Sequence, residues 1–98
     1  MGDFNAEPGS KTYNLLIEAG FKSAHKEVHG DEPEITFPTG LQAEFMDTDP
    51  AMCLDYVFYR GPDSLVPVTA SLMGTQCLPI DQTIYPSDHM ALVIDFNF

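Results

Sequence analysis

The feature that most constrains this chain is a nearly continuous apolar and aromatic run, Cys-Leu-Asp-Tyr-Val-Phe-Tyr, at residues 53–59. Such a run is typical of a β-strand that is covered on both faces. It contains one carboxylate, Asp55, and an ionised carboxylate that is buried without a partner is strongly destabilising. Arg60 and His89 are the candidate partners. We favour His89, because a carboxylate that holds an imidazole fixes its tautomer and favours its protonated form.

Two helices are predicted before this run. The first covers residues 10–19, with Ser10 as its cap and Gly20 placed to end it in a left-handed conformation. Its apolar face comprises Tyr13, Leu16 and Ile17. A second, shorter helical turn is predicted over residues 23–29, before Gly30.

Further strands are predicted from alternation of apolar and polar residues. Residues 66–72 alternate, and so do residues 90–98 after a loop. A weaker strand is predicted at residues 35–37, immediately before Pro38. The chain therefore has the pattern of an α+β fold with three to four strands and one main helix.

Length and charge limit the classes of function. A chain of 98 residues builds one core at most. Four Lys and Arg against fifteen Asp and Glu give a net charge of −11, which opposes strong binding to nucleic acid or to an anionic membrane by this chain alone. No apolar run is long enough for a membrane helix, and Cys53 and Cys77 form no CxxC pair. We therefore expect a cytoplasmic protein with reduced thiols.

Three short segments place polar groups at the edges of apolar strands: residues 2–5, 54–58 and 87–89. In an extended chain Asp3 and Asn5 project to the same side, so that a carboxylate and an amide face one ligand. An ordinary turn is the alternative for this segment. The neighbours Asp88 and His89 point in different directions, so one can serve a cation and the other a substrate.

Taken together and in this order, the segments resemble the endonuclease/exonuclease/phosphatase superfamily, the metal-dependent phosphoesterases related to DNase I, apurinic endonucleases and deadenylases. The resemblance covers essentially the whole chain. The motifs that carry it are Gly-Asp-Phe-Asn-Ala-Glu-Pro at 2–8, Thr-Phe-Pro-Thr-Gly at 36–40, Met-Asp-Thr-Asp-Pro at 46–50 leading into Leu-Asp-Tyr at 54–56, and Ile-Tyr-Pro-Ser-Asp-His at 84–89.

The resemblance implies a role for each polar residue in hydrolysis of a phosphoester substrate. Asp3 would activate the attacking water and help to hold a divalent metal, Mg²⁺ or Mn²⁺. Asn5 would orient the phosphate, and Asp88 would be the second metal ligand. His89 would stabilise charge that develops on the phosphoryl group, and Asp55 would orient His89. In-line attack with a metal that neutralises developing charge fits this set of groups.

The resemblance extends to only the C-terminal half of the family's domain. Residues 1–98 are therefore expected to form a single partial domain, the C-terminal half of a DNase I-like four-layer β-sandwich with mainly antiparallel strands. The metal-binding Glu of the N-terminal half has no counterpart here, so weak activity on its own is expected.

A catalytically silent binding or assembly module is the alternative function. Half of a sandwich leaves an apolar sheet face exposed, and such a face drives association. The face concerned is that of Met90, Leu92, Ile94 and Phe96, or the face opposite it. A homodimer or higher oligomer is therefore expected.

His25 and His29 are an alternative, local candidate for a metal site, because they are spaced i,i+4 with Glu27 between them. Metal sites usually need three or more ligands, and no further ligand follows at a recognisable spacing. A solvated surface turn is the favoured interpretation of this pair.

Overall fold

The computed structural model describes residues 1–41 and 50–98. Of the motif at 46–50, Met46, Asp47, Thr48 and Asp49 lie outside the described residues. The elements are, in chain order, β1 Gly2–Asp3, α1 Lys11–Glu18, β2 Lys22–Ser23, α2 Ala24–His29, β3 Asp55–Tyr56, β4 Phe58–Tyr59, β5 Val66–Met73 and β6 Ala91–Asn97.

The strands form three antiparallel pairs within the described residues: β1 with β3, β2 with β4, and β5 with β6. This confirms the α+β class and the antiparallel pairing, and it fits part of a DNase I-like fold. Four of the six strands are only two residues long. The weak strand expected at residues 35–37 is a single bridge between Phe37 and Met52.

The apolar run at residues 53–59 is divided between two pairings, which the sequence did not indicate. β3 pairs with β1, and β4 pairs with β2. Between them, the carbonyl of Val57 accepts a hydrogen bond from the Ala24 amide at 2.9 Å. The run therefore joins the N-terminal segment to the start of α2. Asp55 lies in β3, the part of the run that pairs with β1.

Both predicted helices are present. In α1 the Ser10 hydroxyl accepts from the Tyr13 amide, and Gly20 follows the helix with a φ of 91°. Tyr13 is buried, but Ile17 is 41% exposed, so the predicted apolar face is only partly covered. α2 ends at Gly30 in the left-handed conformation, as expected.

The core is an aromatic cluster in which Tyr13, Cys53 and Tyr56 are buried and Phe4 and Phe58 pack against them. The rings of Phe4 and Phe58 meet edge to face with centroids 5.2 Å apart. The Tyr56 hydroxyl donates to the carbonyl of Ala6 at 2.7 Å. These contacts fix the first residues of the chain against β3.

The longest strands form a hairpin that packs on α2. Its register sets Ala70 opposite Ile94 and Leu72 opposite Leu92, and a bulge lies between Pro67 and Thr69. Leu92, Ile94 and Phe96 are half-buried while their neighbours in β6 are exposed, which confirms the predicted alternation. In the part of the chain that is described, no helix has the length and hydropathy needed to cross a membrane.

Candidate active site

His89 and Asp55 are in direct contact. The Nδ1 atom of His89 donates a hydrogen bond to Oδ2 of Asp55 at 2.8 Å, and Asp55 is 9% exposed. This confirms the pairing that burial of the carboxylate predicted. Arg60, the other candidate, instead donates to the carbonyl of Ala19 at 3.2 Å, and its guanidinium lies 5.3 Å from the centre of the Phe21 ring.

Strand pairing brings a second carboxylate to the same imidazole. Asp3 lies directly opposite Asp55 in the β1–β3 register, and residues directly opposite each other in an antiparallel pair project from the same face. Oδ2 of Asp3 is 3.7 Å from Nε2 of His89. The two nitrogens of the His89 ring therefore face two different carboxylates.

These three side chains also form a group with the geometry to hold a cation. One ligand atom from each of Asp3, Asp55 and His89 lies within 4.8 Å of the others. It is the one such group of three or more acidic, His or Cys residues within residues 1–41 and 50–98. Carboxylate oxygens are ligands that Mg²⁺ and Mn²⁺ prefer, so the donor set fits these ions.

The surroundings of His89 change its pKa in two opposing ways. Burial disfavours the imidazolium and lowers the pKa, whereas the hydrogen bond and the charge of Asp55, with the charges of Asp3 and Asp88, raise it. The net effect is a pKa above the ordinary value of 6.5. The site therefore keeps His89 protonated to higher pH than a free imidazole.

The segment that follows Asp3 is a turn. Oδ1 of Asp3 accepts a hydrogen bond from the Asn5 amide at 2.8 Å, and Asn5 has a φ of 49°. Asn and Asp commonly form turns of this kind. The prediction that the chain is extended through Asn5 is therefore wrong, because β1 ends at Asp3. Phe4 does anchor this segment in the core, as expected. The role of Asn5 in orienting phosphate stays a prediction.

Asp88 is adjacent to the group of three but does not belong to it. Its carbonyl accepts from the Thr39 amide at 2.8 Å, and its carboxylate adds to the field that raises the pKa of His89. The chain segment therefore places Asp88 beside the imidazole. Its role as a metal ligand stays a prediction.

Sequence reasoning missed Thr36, which is fully buried and hydrogen-bonds to Asp55. Thr36 is the first residue of the motif at 36–40 that contributes to the family resemblance, but the resemblance implies no role for it. The available signal was a polar residue between the apolar Ile35 and Phe37, in a segment predicted to be extended.

Within the described residues, His25 and His29 belong to no group of three or more potential metal ligands. Nδ1 of His25 lies 2.7 Å from the carbonyl of Asp31, and Nε2 of His29 lies 2.7 Å from the carbonyl of Ala70. One nitrogen of each ring is therefore engaged with the backbone. These contacts hold α2 in place, which supports the structural interpretation.

The fold and the group of two carboxylates and one imidazole fit the nuclease and phosphatase superfamily. The sequence pattern of the Endonuclease/Exonuclease/phosphatase family matches residues 1–89, and the chain belongs to this family. The resemblance found in the motifs is thus confirmed.

Similar curated proteins include Nocturnin of Rattus norvegicus and of Homo sapiens, each 31% identical over 108 residues and 99% of this chain. The CCR4-Not complex 3'-5'-exoribonuclease subunit Ccr4 of Emericella nidulans is 29% identical over 98% of the chain. The chain spans 24% of the rat protein, 23% of the human protein and 17% of Ccr4. No solved structure matches the chain at a significant level.

Proposed function

We propose that this chain is the C-terminal catalytic half of a metal-dependent phosphoesterase. The observation that carries the proposal is the placement of His89 between two carboxylates, with Nδ1 on Asp55 and Nε2 toward Asp3. A carboxylate on one side of an imidazole fixes its tautomer and stabilises its protonated form. The other side of the ring is then available to a reacting group.

Each side chain has a distinct role in this proposal. Asp3, which is partly exposed, accepts the proton of a water that attacks phosphorus as the bond to the leaving alcohol breaks. The imidazolium of His89 donates a hydrogen bond to a phosphoryl oxygen, where negative charge increases in the transition state. Asp55 keeps His89 oriented and charged, and Asn5 orients the phosphate.

Asp3 and Asp88 would hold Mg²⁺ or Mn²⁺. When bound, such an ion acts as a Lewis acid that polarises the phosphoryl group and neutralises its charge. The raised pKa of His89 is compatible with this arrangement, because a protonated imidazole acts as a donor rather than as a ligand. Asp55 is then reserved for His89, and the two more accessible carboxylates are left for the ion.

A phosphoester is the proposed class of substrate. The name of the Ccr4 relative makes the 3' end of RNA one candidate within this class. The net charge of −11 opposes tight binding of a long polyanion by this chain alone, so a short or small substrate is favoured. The two free thiols, Cys53 and Cys77, support a cytoplasmic location as part of the same proposal.

The test is hydrolysis of bis(4-nitrophenyl) phosphate and of a short RNA, with Mg²⁺, with Mn²⁺ and with EDTA. We expect weak turnover that requires the metal and that His89→Gln abolishes. His25→Gln is the matched control, since His25 lies outside the group of Asp3, Asp55 and His89 and the hydrogen bond of its imidazole is with the backbone carbonyl of Asp31. Turnover that survives both EDTA and His89→Gln would overturn the proposal.

The same assay distinguishes a catalytic chain from the alternative, a catalytically silent binding or assembly module. That alternative predicts no metal-dependent turnover of either substrate by a folded preparation. Circular dichroism and urea unfolding of the same sample establish whether the protein is folded, so that loss of structure is not mistaken for lack of catalysis.

A further inference from the structure

We infer that Thr36 is a positioning residue, whose buried hydroxyl locks the Asp55 carboxylate in the orientation that holds His89. The inference rests on the proposed function for its catalytic meaning. Whether the Thr36 hydroxyl fixes one oxygen of the Asp55 carboxylate can be measured without any enzymatic reaction.

The backbone of Thr36 links the two segments that carry the pair. Its amide donates to the carbonyl of Met52 at 3.0 Å, on the segment that leads into Asp55. Its carbonyl accepts from the Met90 amide at 2.7 Å, directly after His89. Thr36 is thus hydrogen-bonded to both sides of the site through its main chain alone.

The side chain adds three hydrogen bonds. The Oγ1 atom of Thr36 accepts from the amides of Leu54 at 2.9 Å and Asp55 at 3.2 Å. It donates to Oδ2 of Asp55 at 2.8 Å. A hydroxyl has one proton and two lone pairs. Because two amides occupy the acceptor side, the single proton is directed at Asp55.

The oxygen that receives this proton is the one that His89 also uses. Nδ1 of His89 donates to the same Oδ2 at 2.8 Å. Thr36 is fully buried, so water has no access to replace its hydroxyl if the hydroxyl is removed. Asp55 would then lose the donor that fixes the rotation of its carboxylate, and His89 would lose its fixed partner.

The test compares Thr36→Val, which removes the hydroxyl at nearly constant volume, with Thr36→Ser, which keeps it. Thr69→Val is the matched control, since Thr69 also donates to a carboxylate, Asp95, but on the exposed hairpin. The first readout is the tautomer of the His89 ring, from its ¹⁵N chemical shifts at a pH where the ring is neutral. The second is kcat and KM for the phosphodiester.

We expect the Nδ1–H tautomer of His89 to predominate in the unsubstituted protein, in Thr36→Ser and in Thr69→Val. In Thr36→Val we expect a mixture of tautomers and a loss of about tenfold or more in kcat with little change in KM, by analogy with other residues that orient a functional histidine. A folded Thr36→Val with an unchanged tautomer and unchanged kcat would overturn the inference.

The ¹⁵N NMR shifts of the His89 ring allow failure of this inference to be distinguished from failure of the proposed function. If the unsubstituted chain has no metal-dependent turnover but Thr36→Val alone changes the tautomer, the proposed function fails and the positioning of the pair stands. If turnover is present and Thr36→Val changes neither readout, the function stands and the inference fails.

A further measurement keeps the inference testable should Thr36→Val fail to fold. In the unsubstituted protein, the Thr36 hydroxyl proton should exchange slowly with solvent and show nuclear Overhauser effects to the amides of Leu54 and Asp55. A hydroxyl proton that exchanges freely would contradict the geometry on which the inference depends.

Discussion

Asp3 and Asp55 lie directly opposite each other in the β1–β3 pair, and both carboxylates face the ring of His89. Two like charges at neighbouring positions repel each other, and a protonated imidazole between them offsets that repulsion. A slip of one residue in the register would turn Asp3 to the other face. The site therefore depends on the packing of the N-terminal segment against β3.

The charge of Asp55 should account for much of the raised pKa of His89. In Asp55→Asn the side chain keeps its shape but loses its charge, so we expect the pKa of His89 to fall. The measurement is an NMR titration of the imidazole. Asp95→Asn, on the exposed hairpin, is the control and should leave the titration unchanged. An identical His89 titration in Asp55→Asn would contradict the pairing.

The same shift makes the stability of the fold depend on pH. The pKa of His89 is higher in the folded than in the unfolded chain. The stabilisation that protonated His89 provides is therefore complete below about pH 6.5, and it is lost as the pH rises through the pKa of His89 in the folded protein. We expect the difference in free energy of unfolding between the unsubstituted protein and His89→Gln to shrink across that range. Urea unfolding at several pH values measures it. A difference that grows with pH would contradict the sign.

Glu32 stabilises the fold by accepting two hydrogen bonds near the core. The hydroxyls of Tyr13 and Ser23 each donate to it at 2.6 Å. Burial and the charge of Glu32 raise the pKa of Tyr13, so this hydroxyl remains a donor. Glu32→Ala leaves the buried Ser23 hydroxyl without its partner, which should cost about 1–3 kcal/mol in urea unfolding.

Glu34→Ala is the control for that substitution, because Glu34 is exposed, and it should change stability by less than about 0.5 kcal/mol. Equal effects of the two substitutions would show that the contacts of Glu32 contribute nothing specific.

The exposed face of the hairpin is the one we expect to mediate self-association. Val66, Met73 and Val93 lie on the face of β5 and β6 that is opposite the half-buried Leu92 and Ile94, and each is more than a third exposed. Burial of such side chains contributes about 25 cal/mol per Å². The net charge of −11 opposes association, but salt screens it beyond about 8 Å at physiological ionic strength.

We therefore expect sedimentation equilibrium at micromolar concentration to show a dimer or larger oligomer, and added NaCl to strengthen the association. Val93→Glu should shift the protein to monomer. Thr12→Glu is the control for charge, since it adds the same charge at an exposed position of α1, outside the hairpin. A stable monomer at every salt concentration would contradict the expectation.

The sequence predicted those features that a local pattern determines. Gly20 and Gly30 indicated where the helices end, alternation indicated β6, and the cost of burying Asp55 indicated His89. The exposure of Ile17 could not be predicted, because periodicity identifies an apolar face but not whether another element covers it.

The remainder of the site depends on contacts between distant segments. Nothing local to residues 53–59 indicates that β3 and β4 take different partners. Thr36 and Asp55 are 19 positions apart, so their hydrogen bond exists only once the bridge between Phe37 and Met52 has formed. The positive φ of Asn5 follows from a turn closed by Asp3, which competes with the extended form.

A titration with Mn²⁺ followed by NMR tests most directly whether a divalent ion is held by Asp3 and Asp88 beside the His89 ring. We expect paramagnetic broadening to begin at the His89 ring and at the amides of Asp3 and Asp88, EDTA to reverse it, and Asp3→Asn to weaken it. Broadening centred on Asp31, Glu32 and Glu34, with the His89 ring unaffected, would contradict the proposed metal site.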